Sequence, residues 1–235
     1  MKLSHQQIVS FRNEVWQYYR ENARNMPWRE TVDPYFILVS EVMLQQTQVV
    51  RVVPKYTAFV TRFPTITSLA TATLAEVLEL WSGLGYNRRA KFLWLAAREV
   101  TTHFGGQMPQ TVDGLTKLPG IGPNTAGAIM AYAYNQPVVF VETNIRTVYF
   151  HHFFTDQVKV ADKEISALLS QTIDSETPRE WYWALMDYGS YLKAQAGSHL
   201  QKSAHYTKQP PLAGSLREVR GQILNAQNAV VVASF

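Results

Sequence analysis

Two glutamates stand where an acidic side chain is expensive: Glu41 inside VSEVMLQQTQV and Glu142 inside VFVETNIR, both apolar stretches. A charged carboxylate in such surroundings is disfavoured unless it faces a cleft, so the Glu41 carboxyl is expected to hold its proton more tightly than usual. Two carboxyls in unlike environments can divide into a proton donor and an ionised stabiliser. Cleavage of a glycosidic bond through an oxocarbenium-like state requires such a pair. The alternative is that both glutamates lie on helix surfaces paired with Arg or Lys, and the sequence by itself does not bring them together.

A second chemical feature follows at Leu118 to Gly127, LPGIGPNTAG. Gly120 and Gly122 stand two apart before a helix whose first turn holds Pro123, Asn124 and Thr125. Glycine permits tight turns and close approach, and a helix N-terminus offers unpaired N–H groups, so the string reads as a helix-hairpin-helix gripping a nucleic-acid phosphate. An ordinary tight turn is the bland alternative. Phosphate contacts hold a duplex without reading its sequence, so the hairpin names no substrate.

The elements that must position these groups read as helices. Ser4 and Gln7 resemble a capping box, and Ile8, Phe11 and Val15 share one face of a first helix ending near Arg24. Pro27 and Pro34 bracket a loop, after which Phe36, Val39, Val42, Met43, Val49 and Val50 read as one amphipathic helix. Helical patterns then cover 54–63, 65–72, 73–81, 87–103, 111–117, 123–134, 144–153, 161–173 and 178–195, with VVFVETN an extended lead-in rather than a strand. The expected fold class is all-α. With 46% hydrophobic and 17% charged residues the chain is globular, and a charge of +4 with pI near 9.2 mildly favours a polyanionic partner. Absence of cysteine removes disulfides, a thiolate nucleophile and any iron–sulfur cluster held by this chain. The N-terminus lacks the apolar core of a signal peptide and no membrane-length apolar run occurs, so a cytoplasmic protein is expected, nucleoid-associated if bacterial. His151 and His152 are adjacent and point apart on a helix, and no metal site is expected.

The strings MPWRETVDPYFILVSEVMLQQTQV, WSGLGYNRRAKFL, LPGIGPNTAGAI and ALMDYGS, in this order and spacing, resemble the MutY family of adenine DNA glycosylases, within the helix-hairpin-helix superfamily that also includes endonuclease III. The likeness covers roughly residues 4–192. It implies two helical modules with double-stranded DNA in the cleft between them: 25–136 as a six-helix module carrying the hairpin, and 1–24 with 137–210 as a discontinuous module, leaving 211–235 as a short extension. The implied reaction is hydrolytic release of adenine mispaired with 8-oxoguanine or guanine by a monomeric, monofunctional enzyme. Glu41 then matches the general acid, Glu142 the sugar-stabilising carboxylate and Asn144 its neighbour. Trp28, Arg29 and Leu44 match adenine-pocket positions, Gln45, Gln46 and Thr47 the segment entering the base stack, Tyr86 the wedge beside the opposing base, and Asp187 an acid near the pocket. Gly120, Gly122, Asn124, Thr125 and Arg88 match backbone-binding positions, with Asn124 also facing the substrate. A monovalent cation at the hairpin turn belongs to the same implication, and no cofactor is implied for the chemistry.

The sequence departs from that pattern at three points. Glu142 stands where the family has Asp, displacing the carboxylate by about one bond length. Asn124 stands where bifunctional relatives carry a Schiff-base Lys, so water rather than an amine is the expected nucleophile. The cysteines expected after ALMDYGS are replaced by AQAGSHLQKSAHYTK, in which Lys193 (just before it), His199, Lys202, His205 and Lys208 are candidate DNA contacts. The separate domain that recognises 8-oxoguanine is expected to be lacking beyond Pro210, where Arg217 and Arg220 could touch phosphate. These departures keep two alternatives open: a mismatch glycosylase releasing thymine or uracil opposite guanine, and a catalytically impaired protein that only binds mispaired DNA.

Overall fold

A segment apolar on every side needs neighbours all round it, and Pro34–Leu44 becomes the central helix of the structure, with Ile37, Leu38, Val39, Val42 and Met43 all buried. Asp33 starts it by accepting the Tyr35 amide, with Pro34 at the first helical position. This computed structural model describes residues 1–196, 202–204, 214 and 218–219. Residues 1–204 form one compact unit and 205–235 another, and every element below belongs to the first. In chain order the helices are α1 (His5–Asn22), α2 (Pro34–Leu44), α3 (Val49–Arg62), α4 (Ile66–Thr71), α5 (Leu74–Trp81), α6 (Arg88–His103), α7 (Val112–Thr116), α8 (Pro123–Tyr132), α9 (Thr143–Phe153), α10 (Asp162–Thr172) and α11 (Pro178–Ala196), with a 3-10 turn at Pro27–Arg29. The described residues contain no strand, only an isolated bridge between Val160 and Ser203, so the all-α expectation stands. None of the described helices is long and apolar enough to cross a membrane.

Around α2 pack α3, α6 and α8, with α4 and α5 on α6 and α7 on α8. The first helix instead joins the last ones: α1 lies on α10 and α11, and α9 lies on α11. Phe11 on α1 meets Tyr149, Phe153 and Trp181 at centroid separations of 5.0 to 6.0 Å, an aromatic core that burial favours strongly. Helix α8, rich in Ala and Gly, is buried from Thr125 to Tyr132 and also touches α11.

The single helix expected from Phe36 through Val50 is two. Helix α2 stops at Leu44, Gln46 takes a left-handed φ of 56°, and Val49 opens α3, so Pro54 lies inside a helix rather than at its start. The reason is distant in sequence. Arg89 of α6 donates to the carbonyls of Val42, Met43 and Gln45 and to the Thr47 hydroxyl, satisfying the end of α2 where continuation would otherwise be favoured.

Two glycines allow the closest approaches near the cleft. A Cβ on Gly127 would sit 2.7 Å from the Phe140 Cβ, and one on Gly189 would sit 2.3 Å from the Asn144 carbonyl oxygen. Gly189→Ala must therefore push α11 off the first turn of α9, and a loss of about 3 kcal/mol is expected in urea unfolding. An unchanged midpoint would show that the two helices do not touch there.

Candidate active site

An open cleft of about 940 Å³ is walled by the end of α2, the 45–48 loop, the start of α8, residues 141–146 and one face of α11. Glu41 and Glu142, far apart in the chain, both line it, each half-buried. Burial, and then the charge of Glu142, pushes the Glu41 carboxyl well above the usual carboxylate range. Burial also pushes Glu142 up, but the Arg146 guanidinium one helical turn on opposes it. Arg146 is held by a two-pronged pair with Asp162 at 2.8 and 2.6 Å. Both carboxyls are thus pushed up, Glu41 well above the usual range, and only Glu142 has a cation opposing the rise.

The backbone explains why Glu142 is free to face the cleft. It is the N-cap residue of α9, yet its side chain makes no capping bond. Asn124 of α8 donates its side-chain amide to the Val141 carbonyl at 3.0 Å, fixing the peptide that carries Glu142. The next residue, Thr125, accepts from the Gln45 amide at 3.5 Å, so the start of α8 braces both the lead-in to α9 and the 45–48 loop.

Of the residues singled out in the sequence, Trp28, Arg29, Glu41, Leu44, Gln45, Gln46, Thr47, Asn124, Thr125, Glu142 and Asn144 converge on this cleft. Trp28 is buried edge-on against Tyr56 at 5.4 Å, so packing and cleft lining coincide. Asp187 does not reach the cleft. Its carboxylate is fully enclosed, accepting from Arg29 at 2.8 Å on both oxygens and from the backbone and side chain of Arg24. Burial alone would raise this carboxyl, but the Arg29 and Arg24 contacts outweigh it and hold it below the usual range. It anchors Arg29 rather than meeting a ligand.

Of the remaining candidates, those described other than Lys193 lie outside the cleft. Tyr86 is exposed on the tip before α6 at a left-handed φ of 50°. Its ring is covered by the Arg89 guanidinium at 5.4 Å. Arg88 is exposed and lies over Phe92 at 5.1 Å. In the hairpin only Gly120 uses positive φ, 77°, where a Cβ would strike the Phe92 Cβ at 2.6 Å; Gly122 has φ −88° with open space around it. Lys193 lines the cleft, whereas Lys202 is turned inward, donating to the carbonyls of Phe154 and Thr155. His199, His205, Lys208, Arg217 and Arg220 lie outside the described residues. His152 bonds the Tyr188 hydroxyl, and no group of three potential metal ligands occurs among the described residues.

Sequence reasoning missed Arg89, Tyr132, Arg146 and Trp183. Arg146 could have been found from its spacing, four residues after Glu142 on one helical face. Nothing local marks the other three.

Two acids from α2 and the start of α9 thus line one helical cleft, with the first turn of α8, just after the Gly-rich hairpin, in its wall. The profile of the HhH-GPD superfamily of base excision DNA repair proteins matches residues 39–174. The chain belongs to that superfamily. It is 37% identical over 189 residues to an adenine DNA glycosylase of Buchnera aphidicola subsp. Baizongia pistaciae, covering 79% of this chain and 53% of that protein. It is 35% identical over 196 residues to an adenine DNA glycosylase of Homo sapiens, covering 78% and 36%. The chain thus spans about half or less of the length of these relatives. Among solved structures, a thermostable thymine-DNA glycosylase superposes with a TM-score of 0.70 at 24% identity, covering 79% of this chain and 87% of that one, a likeness of fold.

Asp187→Asn leaves two guanidiniums facing a neutral amide in a buried site, and a loss of about 3 kcal/mol at pH 7 is expected. Because the folded carboxyl ionises below its unfolded value, the Asp187 contribution is complete above roughly pH 4 and fades as pH falls through the folded value. Chemical unfolding of both proteins from pH 7 to pH 3 tests this. A gap that widens toward pH 3 would refute it.

Proposed function

We propose that the chain is a monofunctional DNA glycosylase that hydrolyses the N-glycosidic bond of adenine mispaired with 8-oxoguanine or guanine. The observation that carries this reading is that Glu41 and Glu142 line one cleft, the first pushed well above the usual carboxylate range by burial and the second with the Arg146 charge opposing its own rise. The names of the relatives support adenine as the base. In this reading the target nucleotide leaves the stack, because its glycosidic bond is out of reach inside a duplex. Glu41 protonates a ring nitrogen of adenine, the C1′–N bond breaks with its electrons going to the base, and positive charge develops on the sugar. The Glu142 carboxylate stabilises that charge and directs a water onto C1′, taking the water's proton. The products are free adenine and an abasic site. Asn124 carries no nucleophilic amine, so strand scission is not part of the reaction.

Asn144 and Asn124 hold the Glu142 segment, Trp28, Arg29 and Leu44 contact the base, and Gln45, Gln46, Thr47 and Tyr86 fill the stack it vacates. The hairpin amides around Gly120 and Gly122, with Thr125 and Arg88, grip phosphate. A monovalent cation at the hairpin turn belongs to the same reading, and no step passes through it. The same reading has a monomer, divided into a hairpin module at 25–136 and a second module of 1–24 with 137–210, acting on the cell's own DNA in the cytoplasm.

The test is base release from labelled duplexes carrying A:8-oxoguanine, A:G, T:G and U:G, read after alkaline cleavage of abasic sites. Release from the two adenine duplexes is expected. Release confined to T:G or U:G would move the chain to a different base, and binding without release would leave a mispair-binding protein. Glu41→Gln should bind duplex while losing at least roughly a hundredfold in rate, and Glu142→Asp should retain or raise it. Binding should also weaken steeply between about 50 and 200 mM salt, as phosphate contacts require.

A further inference from the structure

Tyr132 closes α8 with its ring buried and its side chain on the cleft wall. The ring is fixed: it stacks on Trp183 at 6.3 Å and 20°, and meets Phe140 and Tyr182 edge-on at 6.2 and 6.5 Å. Its hydroxyl, in contrast, makes no hydrogen bond among the described residues, although the hydroxyls of Tyr35, Tyr149, Tyr182 and Tyr188 all have partners. Phenylalanine would pack equally well on Trp183, so the ring packing does not account for the hydroxyl, which stands on the cleft wall. The groups whose charges act on the hydroxyl are, in order of strength, Glu41, Glu142, Arg29, which opposes the two acids, and Tyr182.

We propose that Tyr132 is a positioning residue for Glu41, donating its hydrogen bond to the carboxylate that Glu41 becomes once its proton has passed to the departing base. This rests on the glycosylase reading. Handing over the proton leaves an anion in a desolvated cleft beside Glu142, which is unfavourable unless a donor meets it. The phenol supplies that donor without ionising, since burial first and the two acids second push its own ionisation far above neutral pH. Only a hydrogen bond forms: the Tyr132 proton stays on its oxygen, and the transferred proton is the one from Glu41. The other charged side chains lining the cleft around Glu41 are Glu142 and Arg146 at the start of α9, Arg24 and Arg29 before α2, and Lys193 on α11. Arg24 and Arg29 are committed to Asp187, and Arg146 to Asp162. The charge that acts on Glu41 is that of Glu142, an acid with no proton to donate once ionised.

The test is Tyr132→Phe in single-turnover base release from an A:8-oxoguanine duplex, followed across pH beside duplex affinity and thermal unfolding. The rate should fall roughly ten- to a hundredfold with affinity unchanged and the unfolding temperature unchanged or higher. A donor to the ionised form lowers the acid's pKa, so its removal should move the high-pH limb, where Glu41 loses its proton, to higher pH. An unchanged rate, or a reduced rate with an unmoved limb, overturns the proposal while leaving the glycosylase reading intact. A wild-type protein that releases no base overturns both.

Discussion

Glu41 and Glu142 share one cleft, where partial burial and their mutual repulsion raise the cost of charging both. Like charges repel, and burial adds to the penalty on each. Both carboxyls are therefore pushed toward holding a proton, and the surroundings of the two differ. Arg146 stands one helical turn beyond Glu142 and favours its charged form. Glu41, embedded in the apolar α2, is pushed well above the usual carboxylate range by burial and then by the charge of Glu142.

Much of the remaining structure can be understood as holding that pair in place. The start of α8 ties the Val141 peptide and the Gln45 side chain to one helix end, and Gly189 lets α11 press on the carbonyl of Asn144. Asp187 fastens Arg29 to α11 from behind the cleft wall. Arg89 acts on the other side, bonding the end of α2 and the carbonyls of Leu84 and Gly85, so that it links the loop of Gln46 to the loop of Tyr86. Those two residues carry left-handed backbone angles that cost non-glycine residues about 1–2 kcal/mol each. The Arg89 bonds offset that cost and hold both tips rigid before any duplex arrives.

The sequence made the helices legible because their periodicity and caps are local, as with the Ser4–Gln7 box of α1 and the Thr111 cap of α7. It misjudged the α2–α3 break because the groups that satisfy the end of α2 come from Arg89, far along the chain. The site was readable where motif and apolar context coincided, as at Glu41 and Glu142. Asp187 was legible as an acid near the pocket, but the motif does not record that its carboxylate faces Arg29 and Arg24. Tyr132 and Trp183 were invisible because an aromatic residue in an apolar helix looks like core, and only the fold shows that one of them keeps an unbonded hydroxyl on the cleft wall.

The central claim concerns where one proton resides, and carbon-13 NMR titration of glutamate side chains, assigned with Glu41→Gln and Glu142→Asp, reads it directly. The account predicts that Glu41 titrates well above the ordinary glutamate range near 4.3, and that removing the Arg146 charge raises the Glu142 titration as well. Glu41 titrating at an ordinary value, unaffected by the ionisation of Glu142, would contradict it.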